Sequence, residues 1–442
     1  MNKKPYRLLL LLTTVFSMTS GNFSVFADKP AVWIYTDMSD KTLPGNNSEG
    51  TINDPDDISA MAGYLLMCNM FDTRGIVVTS THRSEHKTTP DQGVWANNFL
   101  GGAYRKDVAN LNANIGGYPE DITFMQSCIK ETAERFSSNK DYRNIDGYST
   151  VKALVDHVGS QDDIIYVLCW GSTTEPAIAV KHCVTTNKTS VLSKIRIIAH
   201  WTNSSLHQGT PDDPENVANC KEDKEACRYL KERAVDGIVH YYECGAIGQH
   251  GIVSGAPTGT TYFNQFKKSN IGKIFAEGKY AYNKVDHSDA ATYWTLIGTW
   301  GVSLSDIAKD GSNPMAVEQA NENKFKNNSK RIHDELLRRS DAAAATPITQ
   351  KENPLVAGLY PVVLNTPFSK TTSIRYSVPE QTKVSLNLLD IRGRQVCTIL
   401  DETVCAGEHT VLFNATYVPS GVYVIRMEAC GAIWNCKLMI TR

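Results

Sequence analysis

The chain has 442 residues, 41% of them hydrophobic, and a formal net charge of −2. That length bounds two or three domains, and a near-neutral balance without a dense basic stripe excludes a nucleic-acid polymer or an anionic membrane surface as the natural partner.

In chain order, residues 1–7 are basic, 8–16 form an apolar run, and Val25-Phe26-Ala27 offers a small-residue exit. This predicts a secretory signal peptide over 1–27. The run is too short to span a bilayer and no transmembrane segment is expected elsewhere, so the mature chain is expected to be exported through the periplasm and to end secreted or at the cell surface. Eleven cysteines in such a chain predict some disulfides. Cys220 with Cys227, Cys397 with Cys405, and Cys430 with Cys436 are close enough to pair. Cys68 and Cys169 read as small core residues.

Between 31 and 300, strand-like runs (31–36, 73–80, 163–170, 194–199, 238–243) alternate with helix-like ones (57–70, 92–100, 121–136, 149–158, 175–183, 224–233, 290–300). Continuous apolar strands separated by helices predict an α/β fold, a mainly parallel sheet with helices on both faces, over residues 28–340. Such sheets carry their functional groups beyond the carboxyl ends of the strands. Those ends read Asp37, Thr79-Ser80-Thr81-His82, Trp170-Gly171-Ser172-Thr173 and His200-Trp201-Thr202-Asn203, with Asp286-His287-Ser288-Asp289 just before a late helix.

After the first strand comes Asn53-Asp54-Pro55-Asp56-Asp57. Carboxylates this close repel unless a cation or a shared proton offsets them. Alone, the stretch reads as a solvated helix start that complements the helix dipole; with Asp37 before it and Asp289 arriving late, a hard-metal site is the stronger expectation.

Residues 311–340 are polar and basic, with a surface helix predicted over 331–340 and a low-complexity linker over 341–354. From 355 to 442 the pattern becomes all-β. Runs at 372–378, 383–389, 409–413 and 422–427 alternate with a period of two and predict a small sandwich.

Two resemblances attach to these motifs. Pro367-Phe368, Asp390-Ile-Arg-Gly-Arg394, Ala406-Gly-Glu-His409, Pro419-Ser-Gly-Val-Tyr423 and Lys437-Leu-Met-Ile440 resemble, in order, the type A C-terminal sorting domain of type IX secretion. That implies handling by the type IX secretion machinery and export across the outer membrane. Tyr35-Thr36-Asp37, Asp54 to Asp57, Phe71-Asp72 with Gly75-Ile-Val-Val-Thr-Ser-Thr81, Trp170-Gly171-Ser172-Thr173 and Asp289 resemble the nucleoside hydrolase-like superfamily, closest to its cellulose-binding branch. This resemblance covers roughly residues 30–310.

The second resemblance implies one Ca²⁺ at the strand ends, held by Asp37, Asp57, the carbonyl of Trp170 and Asp289, an oxygen-only set suited to a hard cation. It implies that Asp56 binds sugar hydroxyls, with Asp54, His82, Trp201 and Asn203 around the substrate. Water would attack the anomeric carbon with Asp37 as general base, through an oxocarbenium-like transition state. His287, His82 and His200 are the candidate acids, and Trp170 and Trp201 the candidate stacking surfaces. The chain departs from true nucleoside hydrolases by an insertion, 38–53, between Asp37 and the acidic turn, and by lacking their ribose-gripping Asn-x-Glu-Phe-Asn segment. The expected activity is therefore a Ca²⁺-dependent hydrolase of N- or O-glycosidic bonds in a sugar-containing small molecule or glycan. A non-catalytic polysaccharide-binding protein on the same fold and a phosphatase-like enzyme with Asp37 as nucleophile are the rival expectations.

Overall fold

The computed structural model describes residues 29–45, 50–53, 55–78, 90–129, 135–209, 216–221, 223–345, 362–363, 368–378, 380–390, 394–429 and 432–441. The predicted signal peptide, Asp54, His82, Cys430 and most of the predicted linker lie outside them. The chain divides into two compact units after Ala345.

The first unit is built on six parallel strands in the order β3-β2-β1-β4-β5-β6. They are β1 (Ala31–Thr36), β2 (Asp72–Val78), β3 (Met125–Gln126), β4 (Ile165–Cys169), β5 (Ile195–Ala199) and β6 (His240–Glu243). Every residue of β1 is buried, as a strand covered on both faces requires. Its side chains alternate between two cores. Val32 and Ile34 join Leu168 of β4 and Ile198 of β5 on one face. Trp33 and Tyr35 join Val167, Cys169 and Ile197 on the other.

The first face is covered by α1 (Asp56–Met67), α2 (Gln92–Asn114), α6 (Asn270–Ala276), α7 (Ala291–Ile297) and α8 (Met315–Ala344). The second is covered by α3 (Ser149–Gly159), α4 (Thr174–Thr185) and α5 (Lys224–Val235). Helix α1 is buried nearly all round because it lies between the sheet and α6.

Two expectations change here. Residues 121–124 are not helical and lead into β3, which pairs with Val77 and Val78 at the sheet edge. The helix expected over 331–340 is the end of α8, 30 residues long, which turns Phe325, Ile332 and Leu336 into the core. It ends at Ala344, inside the stretch read as linker.

In the second unit a three-stranded sheet, β13-β10-β9, and a four-stranded sheet, β12-β11-β14-β15, share one apolar core. The strands are β9 (Val362–Val363), β10 (Thr371–Val378), β11 (Thr382–Leu389), β12 (Gln395–Val404), β13 (Gly407–Asn414), β14 (Gly421–Ala429) and β15 (Ala432–Ile440), paired antiparallel. Ile374, Val384, Leu386 and Ile425 face inward, the period-two pattern expected of a sandwich. Cys220 and Cys227 are bonded. Cys397 and Cys405 are free thiols, contrary to the local pairing expected of them, because they sit on and just after β12, with no loop that folds one back on the other.

Candidate functional site

The carboxyl ends of β1, β4 and β5 open on a cavity of about 660 Å³, within the size range of small-molecule sites, about 300–1,000 Å³. Among the described residues its lining includes Asp37, Asp56, Asp57, Asp286 and Asp289 against one lysine, Lys279, and the imidazoles of His200, His207 and His250.

The acidic floor is assembled from three places. Strand β1 delivers Asp37, whose backbone N–H donates to Asp57 Oδ2 at 2.9 Å; Thr36 Oγ1 donates to the same oxygen. These bonds fix the Asp57 rotamer with its charge toward the cavity. Pro55, at the N-cap of helix α1, offers no side-chain cap, and Asp56 Oδ1 accepts from the Asp57 N–H at 3.1 Å. Two carboxylates thus sit where the helix dipole favours negative charge.

The third arm is the turn after β8 (Lys284–Val285), the second strand of a hairpin with β7 (Tyr280–Ala281). It carries Asp286, Ser288 and Asp289 to the floor. Ser288 Oγ donates to Asp56 Oδ2 at 3.4 Å. With its amide nitrogen turned toward the floor, Gln249 donates to both oxygens of Asp286 at 3.0 and 3.1 Å. Gly248 makes this junction possible, since a Cβ there would lie 1.9 Å from the Ser288 carbonyl oxygen. Gly171, after β4, has the same role opposite Asp37. Its Cβ would stand 2.6 Å from the Asp37 carboxyl carbon.

Asp56, Asp57 and Asp289 each offer an oxygen within 4.8 Å of the others. Asp289 Oδ2 is buried and has no hydrogen-bond partner among the described residues. Burial, and then the charge of Asp56, push the Asp289 carboxyl well above the usual carboxylate range, partly offset by a hydrogen bond with Asp57. His200 Nε2 lies 3.7 Å from Asp289 Oδ1. An orphaned carboxylate oxygen within an all-oxygen cluster fits a hard cation, so the Asp56–Asp57–Asp289 group could hold a metal ion.

Other expected residues divide. Asp37 and Trp201 line the cavity. Trp201 adopts a left-handed backbone, φ 50°, uncommon for a bulky residue and characteristic of functional sites. Trp170 lines the cavity but is no stacking surface: its indole is buried between Tyr64 and Tyr293, and its Nε1–H donates to Thr292 Oγ1 at 2.7 Å. The Trp170 carbonyl, expected to face a cation, accepts from Asn219 Nδ2 at 3.0 Å, which also donates to the His200 carbonyl at 2.9 Å. Asn219 thereby ties the ends of β4 and β5 together, and the Cys220–Cys227 disulfide beside it anchors that segment to α5.

His287 does not line the cavity. It is fully buried, with Nε2 3.0 Å from His333 Nε2 and its ring against Phe275. Its alternation with Ser288 turns it into the core while its neighbours face the floor. Asn203 is buried away from the cavity, its carbonyl held by Asn313 Nδ2 at 2.8 Å.

Sequence reasoning missed His207, Gln249, His250 and Asn219. His207 lies on a loop, Gln249 and His250 on the wide helical turn Gly248–Val253, and Asn219 in the single helical turn Ala218–Lys221, all too short for any periodicity to mark them. Turns of that π type often occur at functional sites.

The fold and floor define an α/β protein with an acidic site at the carboxyl edge of a parallel sheet. Residues 49–208 match the model of the family described as cellulose-binding Sde182, nucleoside hydrolase-like domain. No curated protein matches the chain. Among solved structures, the chain is similar to a nucleoside hydrolase-related protein of Saccharophagus degradans associated with carbohydrate metabolism, at 16% identity over 93% of this chain and 99% of that one, TM-score 0.47. It is also similar to the type III effector protein XopQ, solved with adenosine diphosphate ribose (10% identity, 72% of this chain and 95% of that one, TM-score 0.41). A third is the inosine-uridine preferring nucleoside hydrolase of Bacillus anthracis (12% identity, 71% and 99%, TM-score 0.36). Among the described residues no helix is long and apolar enough to cross a membrane.

Proposed function

We propose that this chain hydrolyses a glycosidic bond of a carbohydrate, with Ca²⁺ held at the acidic floor. The observation that carries the reading is the buried Asp289 Oδ2 inside the carboxylate cluster, without a hydrogen-bond partner among the described residues. Asp57 and Asp289 are the ligands we assign first, with Asp56 or Asp37 completing the carboxylate set. Such a cation, when bound, orients sugar hydroxyls and lowers the pKa of a bound water. The chain's own residues supply the rest. Asp37, placed by Gly171, takes the proton from the attacking water; Asp56 and Asp286 accept hydrogen bonds from the sugar hydroxyls; the remaining carboxylates stabilise positive charge at the anomeric carbon.

The test is a panel of nucleosides, aryl glycosides and oligosaccharides, assayed with Ca²⁺ and with EDTA. Release of base or reducing sugar that EDTA abolishes is expected. Binding to a polysaccharide with no turnover on any substrate would refute hydrolysis and favour the second reading, a non-catalytic polysaccharide-binding protein. The description of the matching family as cellulose-binding supports that alternative. We also propose that the second unit directs type IX export, on the motif order in its sequence; deletion of residues 355–442 should leave the protein in the periplasm, and unchanged export would refute this.

A further inference from the structure

One wall of the cavity, above the acidic floor, is built from groups to which no role has been given. His207 lies in a tight loop closed by the Ser204–Gln208 bridge. Helix α8 holds that loop through two carboxylates one turn apart. Glu318 Oε1 accepts from Ser204 Oγ at 2.8 Å, and Glu322 Oε1 pairs with His207 Nε2. Glu322 is buried and its second oxygen accepts from Gln319 Nε2 at 3.2 Å, so its geometry is fixed. The His207 ring lies flat on His250, centroids 3.5 Å apart and planes 2° apart. Trp201 meets the edge of His250 at 6.1 Å. Burial, and then the charge of His207, push His250 down to about 4, so at neutral pH His250 stacks as an uncharged ring.

With Nε2 engaged by Glu322, the remaining nitrogen of His207 is Nδ1, which has no hydrogen-bond partner among the described residues and is not one of the buried unpartnered atoms. His207 is partly exposed and lines the cavity. An imidazole with one nitrogen held by a carboxylate and its ring on a cavity wall is the arrangement of an oriented acid.

We infer that His207 is the proton donor to the leaving group, positioned by Glu322 and by its stack on His250. The inference rests on the proposed glycosidic reaction. In it the doubly protonated ring keeps Nε2–H on Glu322 and gives the Nδ1 proton to the bridging oxygen as the bond from the anomeric carbon to that oxygen breaks. The electron pair stays on the oxygen, which leaves as an alcohol. Water adds to the anomeric carbon and its proton goes to Asp37; solvent reprotonates His207. The leaving group this wall fits is a second sugar or another ring that stacks on Trp201 and needs a proton to depart.

The experiment compares wild type, His207→Asn and Glu322→Gln on paired substrates of one sugar: a 4-nitrophenyl glycoside, whose leaving group departs unprotonated, and the matching methyl glycoside or disaccharide. For His207→Asn, kcat/KM on the second substrate is expected to fall about 100-fold or more, within the range for a lost general acid, and to change less than about threefold on the first. Glu322→Gln should lose about tenfold on the second substrate alone, and it carries the test if His207→Asn does not fold by thermal melting. Equal losses on both substrates, or none on either, would overturn the role of His207 while leaving hydrolysis standing. A wild type that turns over no glycoside would overturn both.

Discussion

Asp289→Asn offers the sharpest test of the floor, because it should act in opposite directions with and without the cation. In metal-free protein Asp289 is buried beside Asp56, with Asp37 and Asp286 adding repulsion, and its carboxyl is pushed well above the usual range. A carboxyl raised in the folded state contributes stability below the unfolded value, about 3.9. That contribution is lost as pH rises through the folded value. In EDTA the wild type should therefore lose stability between pH 4 and 7 by more than Asp289→Asn does, and at pH 7 the variant should melt higher. Ca²⁺ reverses the order. At 100 times its Kd a ligand stabilises by about 2.7 kcal/mol, or ~5 °C at about 2 °C per kcal/mol for a unit of this size. Thermal melting at pH 5 and 7, in EDTA and in excess Ca²⁺, should show that rise in the wild type and little in Asp289→Asn. Equal Ca²⁺ shifts in the two proteins, or an Asp289→Asn protein less stable than wild type in EDTA at pH 7, would refute the assignment.

Gly171→Ala should push the Asp37 carboxyl from its position and weaken Ca²⁺ binding at least tenfold by titration calorimetry, whereas Gly147→Ala, which meets nothing within 4 Å, should stay within about 0.5 kcal/mol of wild type. Replacing both Cys220 and Cys227 by Ala releases a short loop worth about 2.5 kcal/mol by chain entropy. It should lower the denaturant midpoint accordingly and raise KM through the loosened Asn219, while reductant should have no further effect on the variant. Glu175, buried and held by Ser127 and Thr150, is pushed up to about 7 by burial, so it contributes stability that fades as pH rises from about 4 to 7. Glu175→Gln should remove roughly 3 kcal/mol of that pH dependence in urea melts, and an unchanged slope would refute the assignment.

The parts of the fold legible in the sequence were those where one physical rule acts alone. The run 31–35 is apolar or aromatic at every position because β1 is covered on both faces, and Asp56-Asp57 starts a helix where charge and dipole agree. The misread parts are those where tertiary pairing overrides local pattern. Residues 121–126 carry helix-like apolar spacing, yet Met125 and Gln126 extend to pair with the edge of β2. Helix α8 hides its length because Phe325, Ile332 and Leu336 are spread among lysines, asparagines and arginines, most of them exposed. His287 stands in the same short motif as Asp286 and Asp289, but a one-residue step in a tight turn reverses the direction of a side chain. His207, His250 and Glu322 come from three distant segments, and no spacing in the sequence can bring them together.

The interior shows why the floor reads as a ligand site rather than as a structural network. Elsewhere buried carboxylates are satisfied from several directions. Asp107 takes Asn270 Nδ2 and the Ile271 N–H; Asp223 takes the Phe136 and Ala226 N–H groups and Thr174 Oγ1; Glu243 pairs with Lys231 at 2.9 Å. Two buried carboxylate oxygens among the described residues lack a partner, Asp289 Oδ2 and Glu318 Oε2, and of these two residues only Asp289 lines the cavity. Leaving a buried acceptor unpaired costs about 1–3 kcal/mol, more when it is charged. The same rim holds Trp201 in a left-handed conformation, which costs about 1–3 kcal/mol, and brings Gly248 against the Ser288 carbonyl. Strain, an orphaned acceptor and like charges accumulate at one end of the sheet, although the neighbouring interior shows that this chain can pair its buried charges. A bound cation and a polyol would relieve the repulsion and supply the missing partner at once.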